Sequence, residues 1–466
     1  MKRTLYLLSA LLLALIFASS AFAEDAAYNA EHPETLSAAH LSGQACIAMD
    51  MATGEILFQK NERTRMYPAS TTKIMTLIVA LEKGPSLDTV ITIPKEAGNV
   101  PKDSSKVPVK VGETMTFADL LYGFMIQSGN DAGNSIAMIT SGSISDFVSE
   151  MNNKAQEIGC TDTHFVNPHG YQDASHYTTA YDLARMAQYG MRNDVFRAIV
   201  AAKEYTMAPT ALRDKLTLST KNSMFVSTSS YYYPYLNGVK TGWTSSAGHC
   251  FVGSAQKGSA QVLSVTMKTT KEGRWTDTKK LMEYAFTRYQ TYTFDDLYSR
   301  SPIKTYIEGA DSDDAENGYL TVRVVPGSSL FDYEVNALPS ALDGVQREFA
   351  DALEVTWSRE LKAPVAAGDI LGTLSLDFDG QVLSGLLVAE RAIEKAPERV
   401  SITTVFPALK NRDLSAFRLI LTFSLLLIAI LIILRTVAVV KRNRRRKQML
   451  RRRKRIYERY RRSREE

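Results

Sequence analysis

Three short runs carry side chains whose chemistry could be joined in one site: Ser70-x-x-Lys73, Ser128-Gly129-Asn130 and Lys240-Thr241-Gly242. A serine hydroxyl is a poor nucleophile until a base takes its proton, and a partly desolvated lysine amine can be that base. The stretch Pro68-Ala69-Ser70-Thr71-Thr72-Lys73-Ile74-Met75-Thr76 suits a helix start, because proline and small polar residues tolerate the unpaired N–H groups of a first turn. Residues i and i+3 share a helical face, so Lys73 stands one turn above Ser70. The positive end of that helix would favour an oxyanion beside Ser70. Ser-x-x-Lys alone is a common chance pattern, so its weight depends on the other two runs.

Each run needs an element to hold it. Apolar residues at Ile74, Leu77, Ile78 and Leu81 have helical spacing, and Lys83-Gly84-Pro85 ends that helix. Two short strands, 46–50 and 56–60, flank Ala52-Thr53-Gly54 as a hairpin upstream of it. A helix beginning at 116–121 and another over 134–139 place Ser128-Gly129-Asn130 at a helix–helix junction, where a glycine lets the backbone turn. Helices at 144–158 and 180–189 follow, separated by a long loop from His164 to His176. Lys240-Thr241-Gly242 opens a β-rich region with strands near 250–254 and 261–266, closed by a helix over 276–289. Helices in the middle with sheet at both ends predict an α+β fold, an α/β sandwich, over 41–292. From 302 to 396 short β-like runs recur between Gly, Asp and Pro turns, which predicts a small all-β domain acting as spacer or interaction module.

At 466 residues, 45% hydrophobic and 23% charged, the chain has globular composition and room for two or three domains. Its net charge of +5 comes from the tail, where Lys441-Arg442-Asn443-Arg444-Arg445-Arg446-Lys447 and Arg451–Arg455 are opposed only by Glu458, Glu465 and Glu466. The remainder is mildly acidic, so the charge does not argue for a nucleic-acid partner. Lys2-Arg3, the apolar run 5–17 and Ala21-Phe22-Ala23 predict a signal peptide over 1–23, followed by a loose polar leader over 24–40. The apolar run 417–440 is long enough for one transmembrane helix. The basic tail 441–466 after it sets that side as cytoplasmic, with anionic lipid as its natural contact. The expected location is therefore the cell membrane, single-pass, with the body extracytoplasmic. Cys46, Cys160 and Cys250 have no framework spacing, and the apolar, strand-like runs around Cys46 and Cys250 read these two as buried free thiols. His164, His169 and His176 match no compact metal-ligand pattern, so loop roles are expected and no metal.

The order, spacing and placement of the three runs are together specific. The chain resembles the penicillin-binding serine D,D-peptidase family, and within it the low-molecular-mass D-alanyl-D-alanine carboxypeptidases, over about Ala45 to Glu394. The resemblance also includes Asn167-Pro168-His169-Gly170, His176-Tyr177-Thr178-Thr179-Ala180 and Gly238-Val239, and it extends to the β-domain. It implies a β-lactamase-like transpeptidase fold in which Ser70 attacks the carbonyl of a penultimate D-alanine and neutral Lys73 accepts the proton. Ser128 would relay that proton to the leaving D-alanine, and Asn130 would hold the substrate amide and Lys73. Lys240, Thr241 and Gly242 would receive the terminal carboxylate. By the same resemblance the N–H groups of Ser70 and Trp243 form the oxyanion hole, and Arg274 lies near the carboxylate pocket, with salt-bridge duty as its alternative. The implied partners are peptidoglycan stem peptides and β-lactams as covalent inhibitors, with no cofactor. A D,D-endopeptidase shares these motifs. A class A β-lactamase would need a deacylating glutamate, and no acidic residue lies between Asp162 and Tyr171. A β-lactam sensor signalling through the span is weighed against by the short tail, which has no globular pattern.

Overall fold

The computed structural model describes residues 27–378, 380–397 and 414–462. The expected signal peptide lies outside them. The first domain is built on a five-stranded antiparallel sheet in the order β2-β1-β9-β8-β7. Its strands are β1 (Ala45–Asp50), β2 (Ile56–Lys60), β7 (Leu236–Thr244), β8 (Gly248–Lys257) and β9 (Ala260–Thr269). Two small hairpins, β3 (Val90–Thr92) with β4 (Thr114–Thr116) and β5 (Glu204–Met207) with β6 (Leu216–Ser219), stand apart from it.

Strand β1 is buried along its whole length. Its alternate residues serve two cores, because successive side chains leave opposite faces of a strand. Ala45, Ile47 and Met49 join the helical core, whereas Cys46 and Ala48 face the other side. On the first face lie α1 (Lys73–Lys83), α2 (Phe117–Gln127), α3 (Asn130–Ser141), α4 (Ile144–Glu157), α5 (Ala180–Gly190) and α6 (Asp194–Ala201). Helix α7 (Gly273–Phe286) covers the second face, giving three layers. Within the first layer, α1 is buried over Lys73–Ala80, so it is a central helix and not a half-exposed one. All three cysteines are buried and free.

The segment expected to be a loose leader packs in its described part, 27–40. Leu36 and Leu41 enter the core under α7 with Phe251 and Trp275. The carboxylate of Asp277 accepts hydrogen bonds from Ser42 N at 3.2 Å, Gly43 N at 2.9 Å and Thr269 Oγ1 at 3.0 Å. Within 27–40 polar and alanine-rich composition concealed Leu36, and the Asp277 contacts hold the residues that directly follow. Asp277→Ala should therefore lower stability by about 2–3 kcal/mol, since it strands several buried donors at once. The check is the shift in thermal midpoint, and an unchanged midpoint would show that the segment is not held there.

The second domain begins earlier than its β-texture implied. Strand β10 (Gln290–Thr293) pairs antiparallel with β13 (Glu334–Ala337), and Tyr292, Phe294, Leu297 and Tyr298 belong to the second core. The short helix α8 (Phe294–Arg300), capped by Thr293 and Asp296, carries the last three of them. A five-stranded sheet follows in the order β11-β12-β16-β15-β14: β11 (Lys304–Tyr306), β12 (Tyr319–Val324), β14 (Leu353–Trp357), β15 (Ile370–Phe378) and β16 (Gln381–Ala389). One helix, α9 (Leu342–Ala352), packs Phe349 into its core. Beyond it, α10 (Leu414–Arg462) is continuous, and its part Arg418–Arg442 is long and apolar enough to cross a membrane. The basic tail thus prolongs the helix of the expected span.

Candidate active site

Ser70 does not start an α-helix directly. It lies in a 3-10 turn, Ala69–Thr72, that leads into α1 at Lys73. Ala69 has φ +50°, a left-handed conformation that an alanine adopts only under constraint. The constraint is visible. Gly170, itself at φ +83°, presses so close that a Cβ there would sit 1.8 Å from the Ala69 carbonyl oxygen. On the other side, a Cβ on Gly242 of β7 would sit 3.1 Å from Ser70 N and 2.9 Å from Pro68 O. Two glycines, distant in sequence, let the Ser70 turn be clamped between a loop and a strand edge.

Lys73 is fully buried, and its Nζ has three neighbours: Ser70 Oγ at 3.0 Å, Asn130 Oδ1 at 2.8 Å and the His169 carbonyl at 2.7 Å. Burial is the main reason its pKa lies well below the ordinary lysine value; the Lys240 cation lowers it further and Asp131 opposes the shift. A neutral amine has two N–H bonds and one lone pair. Asn130 Oδ1 and the His169 carbonyl can only accept, so they take both N–H bonds and the lone pair is left facing Ser70 Oγ. That is the geometry of a general base at a hydroxyl.

The residues behind this arrangement are second neighbours. Asp131, next to Asn130 at the start of α3, accepts from Val107 N at 2.9 Å and so ties the 100–109 loop to the site. The Asn130 N–H reaches Ser105 O at 2.8 Å, bringing Ser105 to the cleft. Asn167 Oδ1 accepts from Gly170 N at 2.7 Å and shapes the loop that presents the His169 carbonyl. His176 Nδ1 accepts from Val166 N at 3.2 Å, so its Nε2 carries the proton donated to Thr72 Oγ1 at 2.8 Å. Burial lowers the His176 pKa to about 3, which keeps that tautomer neutral. His164 Nδ1 meets the Ser175 carbonyl at 2.7 Å. These histidines brace the loop.

Ser128, at φ +60° in the left-handed cap of α2, lines the same cleft as Ser70, Lys240, Thr241, Gly242, Trp243 and Arg274. The fold thus gathers every residue singled out by sequence, Asn130 joining through Lys73. Among the described contacts Ser128 makes no hydrogen bond to Lys73 or Ser70. Lys240 is buried, and burial, reinforced by Lys221 and Arg274, pushes its pKa down to about 7. Arg274 forms no ion pair among the described residues, and its Nε has no hydrogen-bond partner. Its guanidinium instead stacks 4.3 Å from the Trp275 ring. Arg274 thus stands at the cleft without a close ion pair among the described residues, with the Glu272 carboxylate acting on it at longer range. Lys221, which no spacing marked, is the third cation of the lining. Cations without counter-ions in one cleft of about 290 Å³ make a seat for a carboxylate.

A pH dependence follows. Lys240 is charged below about 7 and loses its charge as pH rises through that value. KM for a carboxylate-terminated ligand should thus rise above neutrality, by up to about tenfold per pH unit at the limit of one proton. A bound carboxylate opposes the loss by holding the proton on Lys240. Steady-state KM from pH 6 to 9 checks this, with a C-terminally amidated peptide as the flat control.

Residues 31–271 match the D-alanyl-D-alanine carboxypeptidase family, peptidase family S11. The match begins inside the packed segment before β1. The chain is similar to the D-alanyl-D-alanine carboxypeptidase DacF of Bacillus subtilis, 32% identical over 398 residues, 84% of this chain and 94% of that protein. It is also similar to DacC of Escherichia coli, 30% identical over 397 residues, 81% of this chain and 89% of that one. Among solved structures, a Streptomyces DD-transpeptidase superposes with a TM-score of 0.50 at 31% identity, covering 53% of this chain and 98% of that one. The D-alanyl-D-alanine carboxypeptidase DacD of Francisella tularensis gives 0.50 at 25% identity, with 76% and 94% covered. The chain belongs to the D-alanyl-D-alanine carboxypeptidase family of serine peptidases.

Proposed function

We propose that this protein removes the terminal D-alanine from peptidoglycan stem pentapeptides through an acyl-enzyme on Ser70, and that β-lactams acylate the same oxygen. The observation that carries the reading is the buried amine of Lys73, 3.0 Å from Ser70 Oγ and within reach of two carbonyl acceptors that in its neutral form would leave the lone pair for the hydroxyl. The Ser70 Oγ–C bond forms as Lys73 takes the hydroxyl proton, and the oxyanion is met by the N–H groups of Ser70 and Trp243. The proton passes by way of Ser128 to the leaving nitrogen as the C–N bond breaks. Lys240, Thr241, Arg274 and Lys221 hold the terminal carboxylate, and Asn130 holds the substrate amide. Water then hydrolyses the ester and frees Ser70.

Edge strand β7 supports a substrate lying extended beside it, because only β8 pairs with it in the sheet. The helix Arg418–Arg442 supports anchoring by a single span, and the Lys/Arg-rich tail supports a cytoplasmic C-terminus with the catalytic half outside. The test is direct. Full-length protein is incubated with a pentapeptide ending in D-Ala-D-Ala, released D-alanine is measured, and a fluorescent penicillin adduct is mapped by peptide mass. Failure to release D-alanine, or an adduct on any residue but Ser70, would sink the reading.

A further inference from the structure

The β-domain has two ends with different neighbours. At one, Ser384 N donates to Ser329 Oγ at 2.8 Å and the Tyr333 ring lies 4.7 Å from that of Phe378, so the segment leading to β13 lies against the β15–β16 turn. From β13 the Asn336 carbonyl accepts from Ser259 Oγ of the first domain at 3.2 Å. At the other end the chain leaves for the span: Ala396 N donates to the Gly309 carbonyl at 2.9 Å, and Lys395 bridges to Ala310. Strand register sets the two ends apart. Val322 faces Ala389, so Tyr319 stands about ten strand residues from Val382, roughly 30 Å.

The exit end is aromatic. Tyr306 of edge strand β11 and Tyr319 of β12 are direct cross-strand partners, with ring centroids 5.5 Å apart. They are 54% and 53% exposed, whereas Leu320 and Val322 on the other face of β12 are buried. A Cβ on Gly318 would lie 2.9 Å from Tyr306 Cε2 and 3.1 Å from Ala310 Cβ, so the rings and the exit share one corner. The loop joining the two strands is acidic. Asp314 is held by Arg391 at 2.6 Å and Glu316 by Lys304 at 3.9 Å, which leaves Asp311 and Asp313 without ion pairs among the described residues.

Only residues 398–417 separate this corner from the helix Arg418–Arg442. Fully extended they reach no more than about 70 Å, so the corner stays near the membrane that holds the helix. A tether of that length makes docking intramolecular, at an effective concentration near the millimolar range, and a small contact then suffices. Tyrosine, with an apolar body and a polar tip, settles at the headgroup level of a bilayer. Ring faces and unpaired carboxylates both attract the ammonium of a zwitterionic headgroup. We propose that the Tyr306–Tyr319 corner docks on the outer leaflet against zwitterionic headgroups, which sets the first domain at the far end of the β-domain. Docking of this kind goes beyond the hydrolytic reading and rests on the anchoring by Arg418–Arg442.

The experiment places the full-length protein, one copy per disc, in phosphatidylcholine nanodiscs, with an environment-sensitive dye on Ser312→Cys or on Val382→Cys. Ser312 is exposed in the acidic loop, and the native cysteines are buried, so the dye goes to the new thiol. Spin-labelled choline headgroups should quench the 312 dye at least about threefold more than the 382 dye, because the headgroup layer is less than about 8 Å deep. Adding Tyr306→Ser and Tyr319→Ser should remove most of that difference, whereas Tyr306→Phe with Tyr319→Phe, which keeps the rings, should retain it. Circular dichroism checks that each variant is folded. Equal quenching at 312 and 382, or a difference that the serine pair leaves intact, overturns the docking surface. Quenching that appears only with two copies per disc gives the corner to a second copy and overturns it as well. Protein that does not enter the disc overturns the anchoring itself, which size exclusion reads separately.

Discussion

Lys73→Arg is expected to slow acylation of Ser70 by about 10²–10⁴-fold, the range that a general base supplies. Arginine keeps the positive charge but cannot deprotonate at any pH the fold survives. Exclusion of water from the wild-type amine favours its neutral form, whose lone pair has one direction left once Asn130 and the His169 carbonyl are satisfied. A guanidinium in that place has no lone pair to offer. The measurement is the second-order rate of fluorescent penicillin labelling from pH 6 to 10. The arginine variant should gain nothing at high pH. Because a fork-shaped group strains a fully buried slot, Lys73→Met provides the companion, unbranched and uncharged, and it should lose a similar factor. Either variant, folded by circular dichroism and labelled within fivefold of wild type, would remove Lys73 from the role of base.

Gly170→Ala should be nearly as damaging, by a different route. The new methyl would have to occupy space 1.8 Å from the Ala69 carbonyl oxygen and 2.4 Å from its carbon, at a backbone φ of +83°. No side chain can rotate away from such a clash, since both partners are backbone. Either the 167–171 loop lifts off or the nucleophile turn shifts, and each displaces a partner of Lys73. A stability loss above about 3 kcal/mol is expected, with penicillin labelling reduced at least tenfold in the fraction that remains folded. Thermal midpoint and labelling rate measured on one preparation separate the two effects. A variant with the wild-type midpoint and rate would mean that Gly170 does not press on the turn. The loop has no acidic side chain, so its contribution to the site is a carbonyl and a shape.

Much of this site is legible in the chain because its signals are local. Ser70 and Lys73 share a helical face by spacing alone, and Gly129 marks a junction because glycine permits the turn. The apolar run after Phe417 marks a helix of membrane-spanning length because bilayer thickness and helix rise are fixed. Where composition was the only guide it misled: the packed segment before β1 is polar on average, and two leucines and one distant aspartate decide its state. The start of the second domain was hidden for a similar reason, since β10 pairs with a strand some 40 residues on, Glu334–Ala337.

The sequence by itself determined the three runs that the fold gathers at one cleft, the main helices and strands that carry them, and the membrane-length apolar stretch. These depend on periodicity, turn chemistry and residue type, all carried within a few neighbours. Only the tertiary structure decided that burial lowers the Lys73 pKa, that Asn130 and the His169 carbonyl lie within hydrogen-bond reach of its amine, that Lys221 lines the same cleft as Lys240, and that Arg274 forms no ion pair among the described residues. A pKa depends on how much water the whole fold removes and on charges brought from elsewhere in the chain. Hydrogen-bond partners 57 and 96 residues from Lys73 leave no trace in local spacing.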